Sequence, residues 1–231
     1  MRDTGSTKTD QAYVVLRRAI VQGDLPEDLP LEDGVLIKRF GFGRTPLREA
    51  IKRLSDEQFI NYPPHRTPYV RGIRVVELAR LYEARHLLEE PVARLAARRA
   101  AEAQIDGLSR ICDQIDQAVE RDDVYESVEL DHRFHLAVAV ATDNRFLSEA
   151  VDRLNCGSLR LWYLAHSRLG MENVNDDHRE IQAAIKGRDP DAAEDVVSRH
   201  IDKSYQRQLD QQRREMQSLI RNSHQEKSNH E

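Results

Sequence analysis

The residues predict a mainly α protein in two parts: a small N-terminal α domain carrying a β-wing, then an all-helical bundle. Three observations lead there. Residues 40–54 join a glycine turn to an amphipathic helix whose polar face is cationic. Two short strand candidates follow, and beyond about Val75 no strand signal of any length recurs. Charge divides at the same place: residues 1–75 carry 13 Lys and Arg against 10 Asp and Glu, net +3, and residues 76–231 carry 22 against 30, net −8. The chain-wide −5 therefore hides a basic head on an acidic body.

Taken in order, residues 1–8 are polar and expected to be loose. Tyr13, Leu16, Ile20 and Val21 mark a first helix ended by Gly23, and a proline-punctuated link runs from Leu25 to Pro30. Leu31, Val35, Leu36 and Phe40 form a second amphipathic segment. Gly41 and Gly43 then open a turn, and Pro46 suits the first turn of a third helix, where its missing N–H is no loss. On that helix Leu47, Ile51 and Leu54 share one face, while Arg44, Arg48 and Lys52 share another. Phe59–Tyr62 and Tyr69–Val70 read as two strands joined by a turn carrying His65 and Arg66. The sum is the outline of a winged helix-turn-helix, although a solvated basic face would produce the same charge pattern.

The run Gly43-Arg44-Thr45-Pro46-Leu47-Arg48-Glu49-Ala50 resembles the opening of the recognition helix in the GntR family of bacterial transcription regulators. Three departures stand out. Gly43 replaces the usual hydroxyl residue, which removes a helix cap. Gly34 occupies a place where many relatives carry a polar or basic side chain, and the wing lacks the usual glycines. The resemblance implies that Arg44 and Arg48 read base edges or adjacent phosphates, that Thr45 touches phosphate, and that Lys52, Arg53, His65 and Arg66 contact the backbone or minor groove of double-stranded DNA.

The expected hinge is Arg71-Gly72-Ile73, dividing a head at 9–72 from a body at 75–210. Six helical patterns fill the body: Val76 to about Ala101, Ile105–Val119, Val124–Ala141, Phe146 to about Leu164, Val174–Ile185 and Ala192 to about Leu209. Breaks fall at or just before Asp106-Gly107, then at Asp122-Asp123, Asp143-Asn144, Gly170 and Gly187–Pro190, the last as a glycine C-cap followed by a new helix start. Residues 211–231 are polar and expected to be disordered. Cys112 and Cys156 stand far apart without CxxC spacing, which suggests two buried thiols. Neither a membrane helix nor a signal peptide is evident, so a cytoplasmic location is expected, away from membranes.

Ionisable residues on inward stripes demand explanation. Asp131 and His135 stand one helical turn apart on a face with Val128, Phe134 and Val138. That spacing alone is weak, since Glu226 and His230 repeat it in the tail. His178 shares a stripe with Ile181 and Ile185, and His200 with Ala193, Val196 and Val197. Each can be a satisfied core histidine; converging, they and Asp131 suit a divalent transition metal, Zn²⁺ or Ni²⁺. Arg85 lies among Leu78, Leu81, Leu88, Val92 and Leu95, either paired to Glu89 or Glu90 or aimed at a carboxylate ligand. His86, His132 and His166 fall off the stripes and are expected at the surface.

The body is similar to the FCD domain of the FadR subfamily of GntR regulators, an antiparallel helical bundle that binds effectors and dimerises. That similarity implies a metal at Asp131, His135, His178 and His200, and an effector carboxylate at Arg85. The expected function is a transcription regulator, of a kind whose precedents are repressors, responding to a small organic acid. Because one recognition helix reads few base pairs, a homodimer on a palindromic operator is expected. Two alternatives remain: a metal-dependent hydrolase using the Asp/His₃ set, and a helical protein with a purely structural metal. The first would need a spare general base, and the stripes offer no clear second carboxylate.

Overall fold

The structure is a computed structural model that describes residues 6–72, 75–172 and 174–228. The head begins with α1 (Lys8–Gln22), α2 (Asp33–Phe40) and α3 (Arg44–Asp56). A two-stranded antiparallel sheet follows, β1 (Ile60–Asn61) on β2 (Tyr69–Val70), in the register Ile60 to Val70 and Asn61 to Tyr69. Residues 7 and 8 are less loose than the sequence suggests: Thr7 and Asp10 form a reciprocal capping box at the start of α1. Gly23 and Gly41 take left-handed conformations, φ 85° and 74°, and stop α1 and α2. The wing turns without glycine because His65 itself adopts φ 58°, a region His tolerates better than most residues. Arg71 and Gly72 follow β2 outside any helix or strand; Ile73, the last residue of the expected hinge, lies outside the described residues.

Seven helices build the body among the described residues: α4 (Val75–Arg99), α5 (Glu102–Glu120), α6 (Val124–Val140), α7 (Arg145–Cys156), α8 (Leu159–Leu169), α9 (Asp176–Lys186) and α10 (Pro190–Ser228). The single pattern expected from Phe146 to Leu164 is two helices, parted at Gly157-Ser158. Their apolar spacing runs on across the break, which hides it from a periodicity argument. Asp123 and Asn144 cap α6 and α7 by accepting from Glu126 and Phe146 amides. Ahead of α10 the left-handed residue is Arg188, φ 54°, while Gly187 stays in the right-handed region, so the expected glycine cap is displaced by one residue.

The polar tail is corrected too. Residues 211–228 are the last turns of α10. From Pro190 onward α10 contains no glycine or further proline, and its Gln, Arg, Glu, Met and Lys residues are good helix formers. Once its first half has docked on α4, α8 and α9, each added turn avoids the cost of nucleation.

Two apolar clusters organise the molecule. One is the bundle core, built from α4, α5, α6, α7, α9 and α10. The other fills the head and then continues into the body, where Leu16, Ile20 and Phe59 belong to one cluster with Val128, Cys156, Leu159 and Trp162. Arg160 ties the same junction by donating to the Ile20 carbonyl at 2.7 Å, and Arg17 pairs with Glu129.

A buried Asp/His₃ cluster beside an arginine-lined cavity

Helix α6 points Asp131 and His135 into the bundle because both lie on its buried face with Val128, Phe134 and Val138. Helix α9 adds His178, wholly buried among Ile181 and Ile185, and α10 adds His200 beside Val196 and Val197. Four ligand atoms, one from each of these residues, lie within 4.8 Å of one another. His178 Nε2 stands 3.1 Å from Asp131 Oδ1, and His135 Nε2 stands 3.1 Å from His200 Nε2. Neighbouring ligands on an ion bound at ~2.0–2.2 Å are separated by similar distances.

The proton arrangement argues in the same direction. His135 Nδ1 lies 2.8 Å from Glu89 Oε2, and an ionised carboxylate can only accept, so the proton sits on Nδ1 and Nε2 presents a lone pair. His200 Nδ1 faces Asp177 Oδ2 at 3.7 Å, which favours the same tautomer. The two Nε2 atoms meet at 3.1 Å, close enough for one ring to donate to the other or for both to present lone pairs to a cation. The approach of His178 to Asp131 is not aligned as a hydrogen bond, and both its ring nitrogens are buried without a hydrogen-bond partner. The donor set therefore fits a transition ion. Burial opposes ionisation of Asp131, but the His178 imidazole, 3.1 Å from Oδ1, holds its carboxyl well below the usual carboxylate range. Burial pushes His200 down to about 4, which keeps it a neutral ligand at physiological pH.

Arg85 answers both readings of its sequence context. It is 1% exposed and donates to Glu89 from Nε at 2.6 Å and from Nη2 at 3.5 Å. It also lines a cavity of about 470 Å³ shared with Asp131, His200, Trp162, His166 and Ser204. Its guanidinium lies 4.9 Å from the Trp162 ring. Glu89, 3% exposed, contradicts the view that no second carboxylate faces inward. The buried stripe of α4 actually runs Leu78, Tyr82, Arg85, Glu89, Val92 and Ala96, with Leu81, Leu88 and Leu95 only partly covered. Burial opposes ionisation of Glu89, but Arg85 and then His135 hold its pKa well below normal. So weak a base, already engaged twice, is a poor proton acceptor.

His132 and His166, expected at the surface, are 6% and 9% exposed; His86, which binds Glu90 at 2.7 Å, is only partly exposed. The side chain of Glu226 and all of His230 lie outside the described residues. His166 lines the cavity, and burial pushes its pKa down to about 4. A histidine held neutral in the folded chain contributes stability above its ordinary value of ~6.5 that drains as pH falls towards 4, on the order of 3 kcal/mol at pH 4. Thermal unfolding of the metal-free chain should show Tm falling across that window, and the fall should be shallower in His166→Gln. Equal slopes would contradict the buried neutral imidazole.

In the head, Arg44 and Arg48 share Asp33: Arg44 Nε at 3.2 Å and Arg48 Nη2 at 2.8 Å from the same oxygen. Both stay about two-thirds exposed, at 66% and 61%. Thr45 and Lys52 are exposed on the same helix. Arg48, His65 and Arg66 border one groove between α3 and the wing. Arg53 does not join them. Its guanidinium stacks 3.6 Å from the Tyr13 ring centroid and pairs with Glu57 and Asp10, so it faces α1. The reason is helical phase: Arg53 lies ~100° round α3 from Lys52.

A winged helix-turn-helix head on a helical body with an internal polar cavity defines a class, the DNA-binding regulators controlled by a small molecule. The chain belongs to the GntR family of bacterial regulatory proteins, whose pattern matches residues 8–70, and its body is an FCD domain, matched over residues 80–203. It is a transcription regulator, not an enzyme. It is 29% identical over 192 residues to the HTH-type transcriptional repressor RspR of Escherichia coli K12, covering 83% of this chain and 84% of that one. The HTH-type transcriptional repressor GlaR of the same organism is 24% identical over 198 residues, covering 82% and 90%. Among solved structures, E. coli McbR/YncC superposes with a TM-score of 0.74 at 19% identity, covering 89% of this chain and 98% of that one, which shows the shared fold. Among the described residues no helix is long and apolar enough to cross a membrane.

Proposed function

We propose that the chain is a cytoplasmic repressor that binds a palindromic operator as a homodimer and is released by a small carboxylate bound at a divalent transition metal, Zn²⁺ or Ni²⁺. In this reading residues 9–72 grip DNA and residues 75–210 sense the ligand and dimerise. The observation that carries it is the convergence of Asp131, His135, His178 and His200, two of which, Asp131 and His200, line the cavity that Arg85 also lines. A bound ion supplies a Lewis-acidic centre with open coordination positions. Glu89 fixes the His135 tautomer, Arg85 offers its remaining guanidinium edge to a ligand carboxylate, and Trp162 closes the wall beside it.

Trp162 also supplies a path to DNA. It belongs to the apolar cluster of the head, and Arg160, two residues earlier on α8, binds the Ile20 carbonyl. A ligand that repositions Trp162 therefore moves α8 against α1. In the head, Arg44, Thr45, Arg48 and Lys52 face the duplex with the wing residues His65 and Arg66, while Arg53 supports α3 from behind.

The test is DNA retention by the metal-loaded protein on its own promoter fragment. Binding should fall on addition of one member of a panel of small organic acids. Arg48→Ala should weaken binding by about 1–3 kcal/mol with no change in Tm, because an exposed ion pair contributes little to folding. Retention that ignores both the acids and Arg48→Ala would refute the reading.

A further inference from the structure

A second cluster of ligand-type side chains sits where the head rests on the body. Cys156 closes α7, Asp152 lies one turn before it, and His132 comes across from α6. His132 Nε2 is 3.0 Å from Asp152 Oδ1 and 3.5 Å from Cys156 Sγ, while Cys156 Sγ is 3.6 Å from Asp152 Oδ1. His132 and Cys156 are 6% and 4% exposed, and the Asp152 side chain is 42% exposed.

We propose that Cys156, His132 and Asp152 form a zinc-class metal site, separate from the Asp131 cluster, that pins α6 to α7 under the DNA-binding head. Bond lengths of ~2.3 Å to sulfur, ~2.0 Å to imidazole nitrogen and ~2.0 Å to carboxylate oxygen at tetrahedral angles place the ligand atoms about 3.3–3.6 Å apart. All three observed separations fall in or just below that range. Thiolate, imidazole and carboxylate together select Zn²⁺ over Mg²⁺ and Ca²⁺, which need more oxygen. On binding, the Cys156 thiol proton passes to solvent and the sulfur enters as thiolate. The half-exposed side at Asp152 leaves the fourth position to water.

The position gives the site its consequence. Asp131 and His132 are consecutive on α6, so this helix turns Asp131 and His135 to one cluster and His132 to the other. Cys156 packs in the same apolar cluster as Leu16, Ile20 and Phe59 of the head. Arg17 of α1, paired to Glu129 on α6, adds a second tie at this seat. Metal here stiffens the surface on which α1 sits. The inference stands apart from the proposed effector site, since its ligands include sulfur and the other set has none.

That difference supplies the test. Co²⁺ titrated into the full, metal-stripped chain should produce a sulfur-to-cobalt charge-transfer band in the near ultraviolet. The band should persist in His178→Ala and vanish in Cys156→Ser. Asp152→Ala, which alters a half-exposed side chain, should keep the fold by circular dichroism and weaken Co²⁺ binding at the band at least tenfold. No band in the wild type would show that the three side chains are a plain hydrogen-bonded trio. A band surviving Cys156→Ser, or one of unchanged affinity in Asp152→Ala, would equally overturn the assignment.

Discussion

Replacing Arg85 with alanine is expected to lower folding stability by about 3–5 kcal/mol, because it strands the Glu89 carboxylate inside the bundle. Arg85 and Glu89 are 1% and 3% exposed and joined at 2.6 Å, and the other contact on Glu89 is His135 Nδ1 at 2.8 Å. Removing both charges is a different experiment. In Arg85→Leu with Glu89→Leu the desolvation cost of each ion disappears along with their attraction, so most of the stability should return. The ligand response should not return, since the guanidinium edge facing the cavity is gone. Metal affinity should fall roughly 10–100-fold, because nothing then orients His135. Urea denaturation of the two variants separates these roles. A loss below about 1 kcal/mol in the single variant would show that the pair is not buried in solution.

The second large effect is His178→Ala. Four protein ligands in a site with a binding free energy on the order of 10–16 kcal/mol contribute about 3 kcal/mol each, so removing one lowers metal affinity roughly a hundredfold. His178 is the sharpest choice because it is wholly buried and its polar neighbour is Asp131, a member of the same ligand set, at 3.1 Å. Competition against a chromophoric chelator reads the change, and a wild-type affinity in the variant would remove His178 from the ligand set.

Much of this was legible in the chain, for identifiable reasons. Glycines at 23 and 41, the breaks at Asp122-Asp123 and Asp143-Asn144, and the apolar period of most helices are local signals, and local physics places those elements. The inward faces of α6, α9 and α10 were readable too, because Asp131, His135, His178 and His200 each replace an apolar residue in a regular stripe. What failed was information held by packing. The stripe of α4 keeps Leu78, Arg85 and Val92, but its other buried positions include Tyr82 and Glu89, each one residue on from the partly covered Leu81 and Leu88. Arg53 looked like one more cation on a basic helix until α1 placed Tyr13 beneath it. His132 and His166 lie off the main stripes yet are covered by α7 and by the far wall of the cavity. The tail was judged on polarity alone, while helix propensity and an already docked α10 decided its structure. Glu89 carried one usable signal, its position four residues after Arg85.

The proposed function rests on a metal ion held by the Asp131, His135, His178 and His200 cluster. X-ray data from crystals of the wild-type chain, recorded at the absorption edge of the metal supplied, test it most directly. An anomalous peak is expected about 2.0–2.2 Å from an Asp131 carboxylate oxygen and from the Nε2 atoms of His135, His178 and His200. A map that is flat between those four side chains, from protein saturated with Zn²⁺ or Ni²⁺, would contradict it.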